Sequence, residues 1–115
     1  MRRLLSIILC VCMLAFPVRG AKETKYIALT FDDGPSGLHT RALLAGLAVR
    51  QVKATFFLCG YRAEQYPELT EKIWQEGHEI GIHGYSHQNM VPMSRREIAG
   101  EIDRTRALLP EKCPI

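Results

Sequence analysis

Lys25-Tyr26-Ile27-Ala28-Leu29-Thr30-Phe31-Asp32-Asp33-Gly34-Pro35-Ser36 is the stretch that decides the fold. Lys25 to Phe31 is apolar and β-compatible, and it runs straight into Asp-Asp-Gly-Pro, a turn signal. Leu38 to Val49 follows, rich in Ala and Leu, with Leu43, Leu44 and Leu47 at helical spacing. A strand, a turn bearing two acids and then a helix make the first unit of an alternating pattern.

The alternation repeats twice. Val52 to Cys59 reads as a second buried strand, closed by Gly60. Pro67 suits the first position of a helix, Leu69 and Ile73 share a face with Trp74 beside it, and Gly77 is a C-terminal stop. Trp74 is expected to pack in the core. Glu79 to Ile82 is a short third strand. Ser94-Arg95-Arg96-Glu97 fits a capping box, with Met93 and Ile98 placed for a hydrophobic staple. Ile98, Ile102, Thr105 and Leu109 then recur on one helical face until Pro110. The order β-α-β-α-β-α predicts an α/β protein with right-handed crossovers and a parallel sheet. Three βα units could form one arc of a (β/α) barrel, whose full closure by eight strands takes about 250 residues. Either the native chain continues, or this is a small open α/β unit with two unpaired sheet edges.

Composition is that of an ordinary globular protein, 47% hydrophobic and 23% charged. Residues 1–20 differ. Arg2 and Arg3 precede an apolar run from Leu4 to Phe16, and Pro17-Val18-Arg19-Gly20 ends in a small residue. This is the layout of a secretory signal peptide cleaved after Gly20 or Ala21. The run is short for a membrane span, so membrane contact is expected only through this segment if it stays uncleaved. The domain proper is then 21–115, in a secreted or cell-envelope protein. Arg2, Arg3 and Arg19 leave with the leader, so the 15 basic residues fall to 12 against 12 acidic ones. A balanced charge with no basic stripe argues against a nucleic-acid partner. Cys10 and Cys12 also leave. Cys59 and Cys113 remain, either as a disulfide or as two free thiols, and without a CxxC pair they do not suggest zinc held by cysteine.

Two clusters carry chemistry. Asp32-Asp33 follows the first strand and His83-Gly84-Tyr85-Ser86-His87 follows the third. Both therefore lie at C-terminal strand ends, the ligand-binding face of parallel α/β folds. On a helical turn the i, i+4 histidines would face one ion. A carboxylate from the first strand would complete a two-His, one-carboxylate set with open positions. Whichever aspartate does not ligate is then free to act as a base toward a water whose pKa the metal lowers. Read separately, Asp-Asp-Gly-Pro is also a plain turn or helix cap, and the histidine pair a surface feature. His39 and His78 are lone histidines assigned to surface or turn roles. Tyr61 and Arg62 follow the second strand and could line the same face. Arg95, Arg96, Arg104 and Arg106 read as solvated helix faces.

Leu29-Thr30-Phe31-Asp32-Asp33-Gly34-Pro35-Ser36, Val52-Lys53-Ala54-Thr55-Phe56-Phe57-Leu58 and Gly77-His78-Glu79-Ile80-Gly81-Ile82-His83 through His87 together resemble the polysaccharide deacetylase family (NodB homology, carbohydrate esterase family 4). The resemblance runs from about Ile27 to Leu109. It implies a partial, distorted (β/α) barrel of the seven-stranded type. It also implies hydrolysis of N- or O-acetyl groups on a polysaccharide with a divalent metal, usually zinc. By motif match, Asp32 would be the catalytic base, and Asp33, His83 and His87 the metal ligands. The expected substrate is an acetylated cell-envelope or extracellular glycan: peptidoglycan first, then chitin-like oligomers, then acetylated xylan. Two departures stand out. Gly84 occupies a position where the family usually has Ser or Thr bracing the metal loop. The family's later motifs, which carry the general acid, are absent, so the chain is expected to be incomplete and weakly active or inactive alone. The alternatives are a non-catalytic truncated relative that binds metal or glycan, and a metallophosphoesterase.

Overall fold

The computed structural model describes residues 24–114, so the expected signal peptide lies outside the described residues. Among those described, no helix is long and apolar enough to cross a membrane. Elements follow in the order β1 (Thr30–Gly34), α1 (His39–Val49), β2 (Thr55–Leu58), α2 (Gly60–Gln65), α3 (Pro67–Gln75), β3 (Glu79–Ile82) and α4 (Arg95–Arg106). The three strands form one parallel sheet in the order β1-β2-β3.

β2 is the central strand, and its alternation decides where the core sits. Phe56 and Leu58 are buried on the face covered by α1 and α3, where they meet Leu44, Leu47, Ile73 and Ile80. Phe31, Leu43 and Trp74 pack against this cluster, so Trp74 is a core residue as its spacing implied. Burying such side chains is worth about 1.5–3 kcal/mol each, which makes this cluster the main support of the sheet. α3 starts at Pro67 and ends before Gly77, whose φ of +75° suits glycine. α4 starts at a formed capping box: Ser94 Oγ accepts from the Glu97 N–H at 3.3 Å, and Glu97 Oε2 accepts from the Ser94 N–H at 2.7 Å.

Three expectations need correction. The first strand begins at Thr30, not Lys25, and Tyr26 and Ile27 are 86% and 88% exposed. A strand reaches as far as its partner does, and pairing with β2 starts where Leu29 O accepts from the Thr55 N–H. Asp32 and Asp33 thus lie inside β1 rather than after it. His78 is not a surface residue: it is 3% exposed, its Nδ1 accepts the Ala54 N–H at 3.2 Å, and its ring meets Phe56 edge-on. Burial lowers its pKa first, and the Lys53 charge lowers it further against the opposing pull of Glu76. Arg104 is not merely solvated, because its guanidinium lies 3.5 Å from the centre of the Tyr85 ring.

Candidate metal centre

The site begins as an irregularity in β1. Phe31 pairs with Phe56 and Gly34 with Leu58, so Asp32 and Asp33 together oppose the single residue Phe57. Two residues against one make a bulge, which bends a strand and re-aims its side chains. Asp33 sits at φ +65°, a left-handed conformation that aspartate tolerates better than most residues. Asp32 and Asp33 both fall at this bulge. Both are exposed and line a cavity of about 300 Å³ together with Ser36, His39 and Arg62.

The second half of the site is the loop after β3. The His83 N–H donates to Leu58 O at 2.9 Å, extending the parallel ladder by one bond. The chain then turns through Gly84 at φ +78° and reaches His87 at φ +58°. The two histidines therefore converge through a loop with two left-handed residues, not through the helical turn that their spacing suggested. Their rings lie 5.3 Å apart between centres. Asp33 Oδ1 lies 3.0 Å from His83 Nε2 and 2.9 Å from His87 Nε2. These three donor atoms form the candidate metal group among the described residues.

The donor chemistry fits a divalent ion. A tetrahedral ion with bonds of about 2.1 Å holds its ligand atoms about 3.4 Å apart, so the two distances from Asp33 to the histidines need to open by only about 0.5 Å. Two imidazoles and one carboxylate leave a coordination position free, as catalytic rather than structural zinc sites do. Asp32 stays outside the triangle.

The loop is held from two sides. On one, the α2 backbone donates to it: the Gly60 N–H reaches Gly84 O at 2.9 Å and the Tyr61 N–H reaches Tyr85 O at 3.1 Å. On the other, Glu101 Oε2 on α4 accepts from the N–H groups of Tyr85 (2.8 Å) and Ser86 (2.7 Å) and from the Ser86 hydroxyl (2.9 Å). Burial alone would raise the Glu101 pKa, but the bonds from Ser86 and Tyr85 outweigh it and leave the pKa lowered. Sequence reading missed Glu101. The signal was there, since Ile98, Glu101 and Thr105 share one helical stripe, and an acid on an otherwise inward face needs partners.

Other residues fall less centrally. Arg62 lines the Asp32-Asp33 cavity, whereas Tyr61 lies exposed beside it under the Arg62 side chain. His39 is exposed at the start of α1, near Ser36 Oγ at 3.4 Å. Cys59 and Cys113 are free thiols. Burial raises the Cys59 pKa, and the charge of Asp33 raises it further, so this thiol is not activated.

This parallel α/β unit thus gathers two histidines and a carboxylate at its strand ends, a group that could hold a metal ion on that face. The polysaccharide deacetylase family model matches residues 19–114, and the chain belongs to this family. It is 41% identical over 95 residues to the peptidoglycan-N-acetylglucosamine deacetylase of Bacillus cereus, covering 83% of this chain and 34% of that protein. A solved peptidoglycan N-acetylglucosamine deacetylase superposes with a TM-score of 0.70 at 45% identity, over 71% of this chain and 38% of its own. A family 4 acetyl xylan esterase from Clostridium thermocellum, solved with a cobalt ion, superposes at 0.67 and 39% identity, over 70% and 40% of the two chains. The chain thus spans roughly a third of the length of that Bacillus cereus relative. The α/β assignment and the partial-barrel reading stand on these structural matches.

Proposed function

We propose that these residues form the metal-binding part of a hydrolase that removes acetyl groups from an extracytoplasmic polysaccharide, with peptidoglycan the first candidate. The observation that carries this reading is that Asp33 lies within hydrogen-bonding distance of both His83 and His87, with Asp32 on the same bulge. Asp33, His83 and His87 would hold a divalent ion, zinc in the first instance. Such an ion lowers the pKa of a water and polarises an acetyl carbonyl.

Asp32 is the base in this scheme. It is fixed beside the metal group but outside it, so its carboxylate remains free to take a proton. Arg62 places a permanent positive charge along the same cavity, where it favours an oxygen-rich substrate. The relative from Bacillus cereus, named for peptidoglycan, supports the substrate class, and the leader-like residues 1–20 support an extracytoplasmic location. The Clostridium thermocellum esterase keeps O-acetyl substrates within the same reading.

The test uses the protein from the full reading frame that contains residues 1–115. Acetate release from N-acetylglucosamine oligomers and from peptidoglycan is followed before and after chelation, and again after zinc is restored. Activity is expected to vanish on chelation and return with zinc. Asp32→Asn is expected to lower kcat by about 10²–10⁴-fold while zinc stays bound. Release that survives chelation, or an Asp32→Asn enzyme of wild-type rate, contradicts the proposal. Zinc bound without any acetate released points instead to a non-catalytic metal- or glycan-binding relative.

A further inference from the structure

Glu101 is a half-buried carboxylate with one oxygen committed to three donors, and none of the roles above uses it. We propose that Glu101 is the positioning residue of the metal loop, fixing the span between His83 and His87 and thereby setting the affinity for the ion. This inference rests on the metal site proposed above.

Only Gly84, Tyr85 and Ser86 separate the two histidines. Gly84 has no side chain and a left-handed φ, so the span contains its own soft point. The carbonyls of Gly84 and Tyr85 are tied to α2, but that leaves the N–H groups of Tyr85 and Ser86 to be satisfied from elsewhere. Glu101 Oε2 takes both, and the Ser86 hydroxyl as well, all within 2.9 Å. Hydrogen bonds to an ionised acceptor are roughly twice as strong as neutral ones.

The same helix grips the loop a second time. Arg104 lies one turn beyond Glu101 and covers the Tyr85 ring, while the Tyr85 hydroxyl donates to Glu64 Oε2 on α2 at 2.5 Å. The middle of the loop is therefore held by its backbone and by its one large side chain. The ligands at its two ends inherit their spacing from that grip. A Cβ at Gly84 would in fact approach Glu101 Oε2 to 3.4 Å and Met90 Cε to 2.7 Å, so the position is shaped for glycine.

The experiment uses the full chain and reads zinc affinity by competition with a chromophoric chelator, together with the visible spectrum of the cobalt-loaded protein. Glu101→Ala is expected to weaken zinc binding by about 10–100-fold and to alter the cobalt bands. Glu101→Gln keeps an acceptor oxygen of the same shape and is expected to fall between Glu101→Ala and wild type. If Glu101→Ala does not fold, Glu101→Gln and Ser86→Ala, each removing part of the grip, carry the test. A merely structural role would lower the unfolding midpoint of the metal-free protein but leave affinity and cobalt spectrum unchanged, and that result overturns the proposal. His83→Ala is the control: if it binds zinc like wild type, the metal site itself is wrong, and this inference falls with it. Loss of zinc in His83→Ala with no change in the Glu101 variants rejects the positioning role alone.

Discussion

Replacing Gly60 with alanine should harm both fold and site, and the structure sets the scale. Gly60 opens α2 and faces the metal loop. An added Cβ would lie 2.4 Å from Tyr85 Cδ2, 2.6 Å from Thr105 Oγ1 and 3.0 Å from Tyr85 Cα. Ordinary carbon contacts lie at about 3.5–4.0 Å, so the overlap with the ring is about 1 Å. None of these neighbours yields easily. The Tyr85 ring is held by Glu64 and Arg104, Thr105 is fully buried, and Tyr85 Cα is backbone. Relief requires moving the loop that carries His83 and His87 away from α2, which also stretches the bonds from the Gly60 and Tyr61 N–H groups. Overpacking of this kind costs about 1–3 kcal/mol. Gly100→Ala is the matched contrast. It lies inside α4 with nothing within 4 Å of an added Cβ, and alanine should stabilise there by about 0.5–1 kcal/mol. Urea unfolding followed by circular dichroism reads both changes, and a zinc titration should show weaker binding for Gly60→Ala only. A Gly60→Ala protein within about 0.5 kcal/mol of wild type, with unchanged zinc affinity, would refute the described packing between α2 and the loop.

Two further outcomes follow from particular positions. The lowered pKa of His78 means that its neutral form stabilises the fold fully above its unfolded value of about 6.5, and that this contribution is lost as pH falls through the lower folded value. Stability measured by urea at pH 7.5 and pH 5.5 should therefore drop more for wild type than for His78→Asn, and equal drops would reject the assignment. Gly84→Ala should cost about 1–2 kcal/mol, because φ is +78° there while the clashing Met90 Cε is a flexible tip that can swing aside. Gly84→Thr should be no better and should not tighten zinc binding, despite matching the residue usual in the family. An unchanged unfolding midpoint for Gly84→Ala would show that the residue is not left-handed.

Much of this was legible in the sequence because local signals and tertiary demands agreed. Pro67, Gly77 and the Ser94–Glu97 box fix helix ends by chemistry that needs no partner, and α3 and α4 begin where they point. The sequence order alone put the Asp32-Asp33 and His83-His87 clusters on one face, because both follow strands of a parallel sheet, whereas the choice of Asp33 as the partner of the histidines came only from the family resemblance. What failed depended on partners elsewhere in the chain. β1 is shorter at its start than its apolar run, since pairing with β2 and not hydrophobicity sets its length. The bulge that aims Asp32 and Asp33 is a mismatch between two strands, and one strand alone cannot reveal it. α2 is only six residues long and buries just Gly60 and Ala63, too little for a periodic signal. His78 looked like a turn residue because its acceptor role belongs to the N–H of Ala54, 24 positions away.

The central claim is that one divalent ion sits on Asp33, His83 and His87. Anomalous diffraction from zinc-loaded crystals, collected on both sides of the zinc absorption edge, tests it most directly. One strong peak is expected about 2.0–2.2 Å from Asp33 Oδ1, His83 Nε2 and His87 Nε2, with Asp32 outside the coordination sphere. No peak at that triangle, or a peak ligated by Asp32 in place of Asp33, would contradict the roles assigned to the two aspartates and the site as a whole.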